Sequence, residues 1–163
     1  QIPYWIQLVS DYDTWAKQLV DTDAFNYGML ASDWSVESDL WESLTDDVTM
    51  NIVRKGESVL EYIKQRSKSH LKSYGFVTEF AGYKCLAVNS RYESSMIFDS
   101  VRNQYPVCVM FEFTGRCWKY SLYTNGRLNA SQIASIYGGG GHAGAAGFTT
   151  DTLLPCFTKE ISE

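Results

Sequence analysis

A chain of 163 residues, 45% of them hydrophobic and 15% aromatic, has room for one well-filled core, or for one core plus a connecting segment. Its net charge of −5 disfavours tight non-specific duplex binding, which sets many Lys and Arg side chains against phosphates, but leaves room for a locally positive pocket. No apolar run reaches the length of a membrane span and no signal peptide opens the chain, so a cytoplasmic protein without membrane contact is expected.

The charge is unevenly spread. Residues 1–70 carry 12 acidic and 6 basic side chains, whereas residues 71–163 carry 7 and 8, which suggests two segments with different tasks. The chain begins at Gln1 without Met, as a piece of a longer protein would. Of its four cysteines none forms a C-x-x-C pair, and only two histidines are present to share a metal. Cys85 and Cys108 lie in apolar runs and are expected to be reduced core thiols.

Taken in order, residues 2–9 are apolar and predict a short helix after Pro3. They run into Asp11, Asp13 and Trp15, whose carboxylates suit either a hard divalent ion or a solvated helix end. Residues 21–28 read as a turn and a second helix, and 35–44 as a third. Residues 49–71 give the longest helical pattern, with Ile52, Val53, Val59, Leu60, Ile63 and Leu71 on one stripe; Gly56 weakens it. His70, late in that helix, reads as solvated or as complementing the helix dipole.

From Ser73 the period becomes strand-like. Residues 74–80 and 83–88 predict a hairpin turning at Ala81-Gly82. Residues 94–104 predict a helix with Met96, Ile97 and Val101 inward. Residues 107–113 predict a central strand, with 117–123 returning as its hairpin partner. A short helix over 129–137, capped by Asn129 or Ser131, leads into the glycine run, and 146–149 form a last strand. The expected fold class is α/β: a mixed, mostly five-stranded sheet with flanking helices, preceded by a helical linker segment.

Six of the twelve residues from Tyr137 to Phe148 are Gly and three are Ala. Such a run disfavours helix and strand interiors alike and marks backbone that must come very close to something. Consecutive Gly amides form anion-binding concavities; a packing turn or a flexible linker are the bland alternatives. No Gly-x-x-x-x-Gly-Lys-Ser/Thr is present, so a P-loop is not supported.

The stretch Gly139-Gly140-Gly141-His142-Ala143-Gly144-Ala145-Ala146-Gly147 resembles the Gly-Gly-Gly-His-x-x-Ala-Ala-Gly motif of the DHH phosphoesterase superfamily, in its carboxy-terminal DHH-associated domain of the first type. The resemblance extends over roughly the whole chain. It implies a linker segment over 1–70, following an absent catalytic domain, and a substrate- or nucleic-acid-binding domain over 71–163. The Asp11-x-Asp13-x-Trp15 element is similar to one that enters this linker, and it implies Asp11 as a metal ligand, with Asp13 as the alternative. The implied substrate contacts are Gly138, Gly139, Gly140, Gly141, His142 and Gly144 of the loop, with Ser121, Tyr123 and Asn89. Amides of Gly139, Gly140 and Gly141 would hold a terminal phosphate. His142 would donate to it or to a ribose hydroxyl, more strongly when protonated. Small Ala145 and Ala146 would let the sheet edge close on the loop.

One departure matters. The family commonly shows Ser-Leu-Arg-Ser where this chain has Ser121-Leu122-Tyr123-Thr124. Tyr123 lacks that charge; it either stacks on a base or merely packs on the sheet, leaving Arg127, Arg91 or Arg116 as substitutes. The chain also contains no Asp-His-His. The expected protein is thus the substrate-binding part of a metal-dependent phosphodiesterase for short oligonucleotides, cyclic dinucleotides or single-stranded ends. Mn²⁺ or Mg²⁺ would act in the parent protein, with none held tightly by this chain, which alone is expected to be inactive. Its partners would be nucleotide or single-stranded nucleic acid, the missing catalytic domain and a second copy in a homodimer. The alternative is a non-enzymatic single-stranded nucleic-acid or RNA-binding module, since the same domain type is appended to alanyl-tRNA synthetases.

Overall fold

A computed structural model describes residues 2–14, 16–91 and 95–158; the predicted Trp15 and Ser94 lie outside the described residues. The chain divides into two compact units, 1–65 and 66–163. Among the described residues, no helix is long and apolar enough to cross a membrane.

The first unit contains helices α1 (Tyr4–Asp13) and α2 (Thr22–Leu30) and most of α3 (Asp46–Tyr74). Leu8 of α1, Ala24, Phe25 and Met29 of α2, and Ile52 and Val53 of α3 bury one small core. Thr45 starts α3 earlier than the hydrophobic pattern suggests. Its hydroxyl accepts from Val48 N at 3.3 Å, and Asp46 and Asp47 favour the positive helix end. Gly56 has a packing reason: a Cβ there would lie 1.6 Å from Ala24 O, and one at Gly28 2.0 Å from Ile52 O. The two helices touch backbone to backbone, and only Gly allows it.

Residues 35–44 do not form the expected helix. They hold a single 3₁₀ turn, Trp41–Ser43. Asp33 Oδ1 accepts from Ser35 N at 3.1 Å, and the Ser38 hydroxyl donates to Asp33 O at 2.7 Å. These short polar side chains compete with helical backbone bonds, and they win here.

The second unit is built on a six-stranded mixed sheet in the order β1-β2-β3-β4-β6-β5. The strands are β1 (Gly75–Phe80), β2 (Tyr83–Asn89), β3 (Val107–Phe113), β4 (Trp118–Thr124), β5 (Gly140–Gly141) and β6 (Ala145–Thr150). Only β2 and β3 are parallel. The sixth strand is part of the glycine run itself.

One face of the sheet packs against α4 (Ala130–Ser135) and an aromatic stack. Tyr137 lies 4.5 Å and Tyr120 4.6 Å from Phe148, ring to ring. On the other face Leu71, Ile97 and Phe98 cover Leu86, Val88, Cys108 and Met110. Cys85 and Cys108 are buried free thiols, as expected. Burial pushes Cys108 up to about 11, so it stays protonated and inert near neutral pH.

The helix expected over 94–104 is instead two 3₁₀ turns, Ser95–Phe98 and Arg102–Gln104. Asp99 N turns back to Met96 O, Val101 adopts φ −131°, and Arg102 Nη2 donates to Ser95 O at 3.2 Å. A guanidinium thus takes up a carbonyl that an α-helix would have bonded internally.

Candidate functional site

The glycine run is positioned by what precedes it. Asn129 caps α4, its Oδ1 accepting from Ser131 N at 3.0 Å and Gln132 N at 3.3 Å. The other end closes with Gly138 at φ 76°, Gly138 N donating to Ser135 O and Gly139 N to Ala134 O. This pair of bonds is a Schellman ending, which needs the left-handed residue that Gly supplies. The amide of Gly139, read from the sequence as a phosphate donor, is therefore spent on capping α4.

Beyond it the chain enters β5, turns through His142, whose N–H donates to Ala145 O at 2.8 Å, and returns in β6. The glycines of this turn serve different ends. A Cβ at Gly139 would sit 2.2 Å from Gly147 O, and one at Gly141 2.7 Å from Ala146 Cα. These two allow the close approach of loop and sheet edge that the small residues predicted. A Cβ at Gly140 or Gly144 would meet nothing within 4 Å. Packing within the second unit gives no reason for those two to lack side chains.

The turn is pinned from beneath. Thr124 N donates to Gly144 O at 3.2 Å, Ala130 N donates to Ala143 O at 2.8 Å, and the Thr124 hydroxyl lies 2.9 Å from Leu128 O. With both carbonyls turned inward, residues 140–145 remain exposed. Among the described residues, no backbone acceptor faces the amides of Ala143 and Gly144. The result is an exposed rim of backbone donors with the exposed imidazole of His142 beside it.

Strand register decides which of the other sequence candidates join it. Ser121 stands opposite Gly147, which stands opposite Gly140; Tyr123 stands opposite Ala145. Ser121 and Tyr123 thus share one sheet face with a strip that carries no side chain. The Tyr123 ring packs against Phe98 at 5.8 Å, and burial, offset by a hydrogen bond with Ser121, raises its phenol above the ordinary value. Asn89 stands opposite Phe111, which faces the other way, so strand alternation separates it from Ser121 and Tyr123. Its carbonyl lies 3.2 Å from His70 Nε2.

Among the substitutes for the missing arginine, Arg91 Nε lies 3.6 Å from Glu112 Oε2, while Arg116 and Arg127 are exposed in turns. The charge felt at Tyr123 is that of Arg102, which also bonds Asp99 at 3.1 Å. Sequence reasoning missed Arg102, because a helix over 94–104 would face it differently from a 3₁₀ turn.

In the first unit, Asp11 is 8% exposed. Its Oδ1 accepts from Gln18 N at 2.9 Å and its Oδ2 from Leu19 N at 3.1 Å and from the Thr22 hydroxyl. The Thr22 bond, followed by the Gln18 amide, holds this carboxyl below the usual range. It fastens the connection between α1 and α2. Among the described residues, no three His, Cys, Asp or Glu side chains gather to hold a metal ion. Among the described residues, Asp11 and Asp13 therefore have no further such ligand beside them to complete a divalent-ion site.

No protein-family model matches the chain. It is 26% identical over 173 residues to the uncharacterized protein R106 of Acanthamoeba polyphaga mimivirus, covering 98% of the chain and 40% of that protein. Its structure is similar to that of a pGpG-specific phosphodiesterase, PggH, from Vibrio cholerae. There the TM-score is 0.56 at 15% identity, over 90% of this chain and 61% of that one. An exopolyphosphatase-related protein from Bacteroides fragilis aligns over 71% of this chain and 36% of its own, with TM-score 0.44 and 16% identity. At such identities the likeness to PggH shows a shared fold. The chain spans less than two thirds of the length of R106 and of PggH.

Proposed function

We propose that this chain is the substrate-binding, carboxy-terminal part of a DHH-type metal-dependent phosphodiesterase. The whole protein would act on short oligonucleotides, cyclic dinucleotides or single-stranded nucleic-acid ends. The observation that carries the reading is the exposed rim at 140–145, where Gly140 and Gly144 lack side chains that nothing in their own unit forbids. Bare backbone kept open beside unsatisfied amides suits an anion that must come close. In this reading the amides of Ala143 and Gly144 and the imidazole of His142 hold a terminal phosphate, Ser121 adds a hydroxyl, and Tyr123 offers a ring to the adjoining base. The shared fold with a protein named as a pGpG-specific phosphodiesterase supports the substrate class. Mn²⁺ or Mg²⁺ belongs to the remainder of the protein, and this chain binds nucleotide without hydrolysing it.

Calorimetric titration of the chain with a 5′-phosphorylated dinucleotide and with its unphosphorylated counterpart tests this. The phosphorylated ligand is expected to bind about tenfold or more tightly, the worth of one or two hydrogen bonds to a charged group. Equal affinities, or turnover by the purified chain with Mn²⁺, would contradict the reading.

A further inference from the structure

A second candidate site lies in the first unit, in a cavity of roughly 180 Å³. Four aromatic residues, Tyr12, Phe25, Trp34 and Trp41, line it, together with Asp13 and Asn26. An apolar cavity of roughly 150 Å³ takes benzene, so a compact organic group fits this one. We propose that this aromatic cavity binds a methylated ammonium cation.

Three observations select that class. The first is sign: residues 1–65 carry 12 acidic and 4 basic side chains, against 7 and 10 in residues 66–163. A net of −8 repels anions and draws cations to the first unit, while the second, at +3, suits a phosphate. The second is the lining. A neutral apolar ligand would leave the charge of Asp13 unused, whereas a strongly hydrated ammonium or metal ion would find one carboxylate and the Asn26 amide, itself hydrogen-bonded to Tyr12. A methylated cation loses little hydration, spreads its charge over carbon, and is held by ring faces, of which indole is best. The third is a precedent within the fold. Lys17 Nζ sits 3.8 Å from the centroid of the Tyr12 ring while it pairs with Asp23.

The cavity is also held in shape. Trp41 Nε1 donates to Ser35 O at 2.8 Å, and the segment carrying Trp34 is tied by Asp33 to Ser35 and Ser38. Ring walls fixed in this way bind at a smaller entropic cost.

Calorimetry with choline and its uncharged isostere 3,3-dimethyl-1-butanol tests the proposal on the full chain. Choline is expected to bind about tenfold more tightly, within the range of a desolvated cation–ring contact. Asp13→Asn should abolish that preference. Trp34 is 53% exposed, so Trp34→Ala should fold normally and weaken choline about fivefold, with Trp34→Phe falling between. Equal binding of the isostere, no binding of choline, or an unchanged preference in Asp13→Asn would overturn it. Dinucleotide affinity should be the same in Trp34→Ala and wild type, because the cavity and the glycine rim belong to different units and share no residue.

Discussion

Single side chains carry two roles that their residue type alone does not reveal. Asp11 reads equally well as a metal ligand or as a solvated or helix-capping carboxylate, because the sequence does not show what its oxygens meet. Its contacts with Gln18, Leu19 and Thr22 make it a fastening for the chain between α1 and α2. Asp11→Asn should lower the thermal midpoint at pH 7 by several degrees, followed by circular dichroism. Because the folded carboxyl titrates below its unfolded value, its contribution is present above the unfolded pKa and is lost as pH falls through the folded one. The gap between wild type and variant should therefore narrow as pH falls below about 4 and close where the folded carboxyl is protonated. A gap that persists there, or a variant midpoint raised by Mn²⁺, would contradict the fastening role. Tyr123 shows the reverse case: its place in a strand was readable from the alternating pattern, but the charge that acts on its phenol, that of Arg102, was not.

At the scale of elements, periodicity located most of the secondary structure. The alternation of Trp118, Tyr120 and Leu122 placed β4, and the two-residue Ala81-Gly82 turn placed the β1–β2 hairpin. What failed were two helices whose polar groups have other partners. Asp33 and Ser38 divert the backbone of 35–44, and Arg102 takes the carbonyl of Ser95. Those side-chain bonds depend on the local path of the chain and leave no periodic trace. The meeting of α2 and α3 was equally hidden, since Gly56 counts against a helix by propensity and is required by packing. Ala is a better helix former than Gly by about 1 kcal/mol. Yet a Cβ 1.6 Å from a backbone carbonyl cannot rotate away, and overpacking of this kind costs about 1–3 kcal/mol. Gly56→Ala should lower the urea midpoint. A stabilised variant would show that the two helices are not in backbone contact.

For the whole molecule, the asymmetry of charge is the clearest signal that sequence and structure share. The acidic first unit suits the proposed cation site, and the mildly basic second unit the proposed phosphate site. A pocket for one phosphorylated end neutralises one or two phosphates, so its affinity should fall with a log–log salt slope of about −1. An RNA-binding module that tracks a longer strand should show a steeper slope. The candidate site was legible as a motif because so dense a run of Gly, leading straight into His142 and small apolar residues, is unlike a polar linker. Its division of labour was not legible. Six glycines look alike in sequence, yet Gly138 ends a helix, Gly139, Gly141 and Gly147 let backbone approach closely, and Gly140 and Gly144 stay open. If the open glycines are kept bare for a ligand, that division can be read out in one experiment. A 5′-phosphorylated dinucleotide is titrated into wild type, Gly140→Val and Gly139→Ala, with thermal midpoints measured alongside. Gly140→Val should keep its midpoint and bind about tenfold or more weakly, while Gly139→Ala should lose stability. Unchanged affinity in a normally folded Gly140→Val would contradict a ligand-binding role for the bare rim.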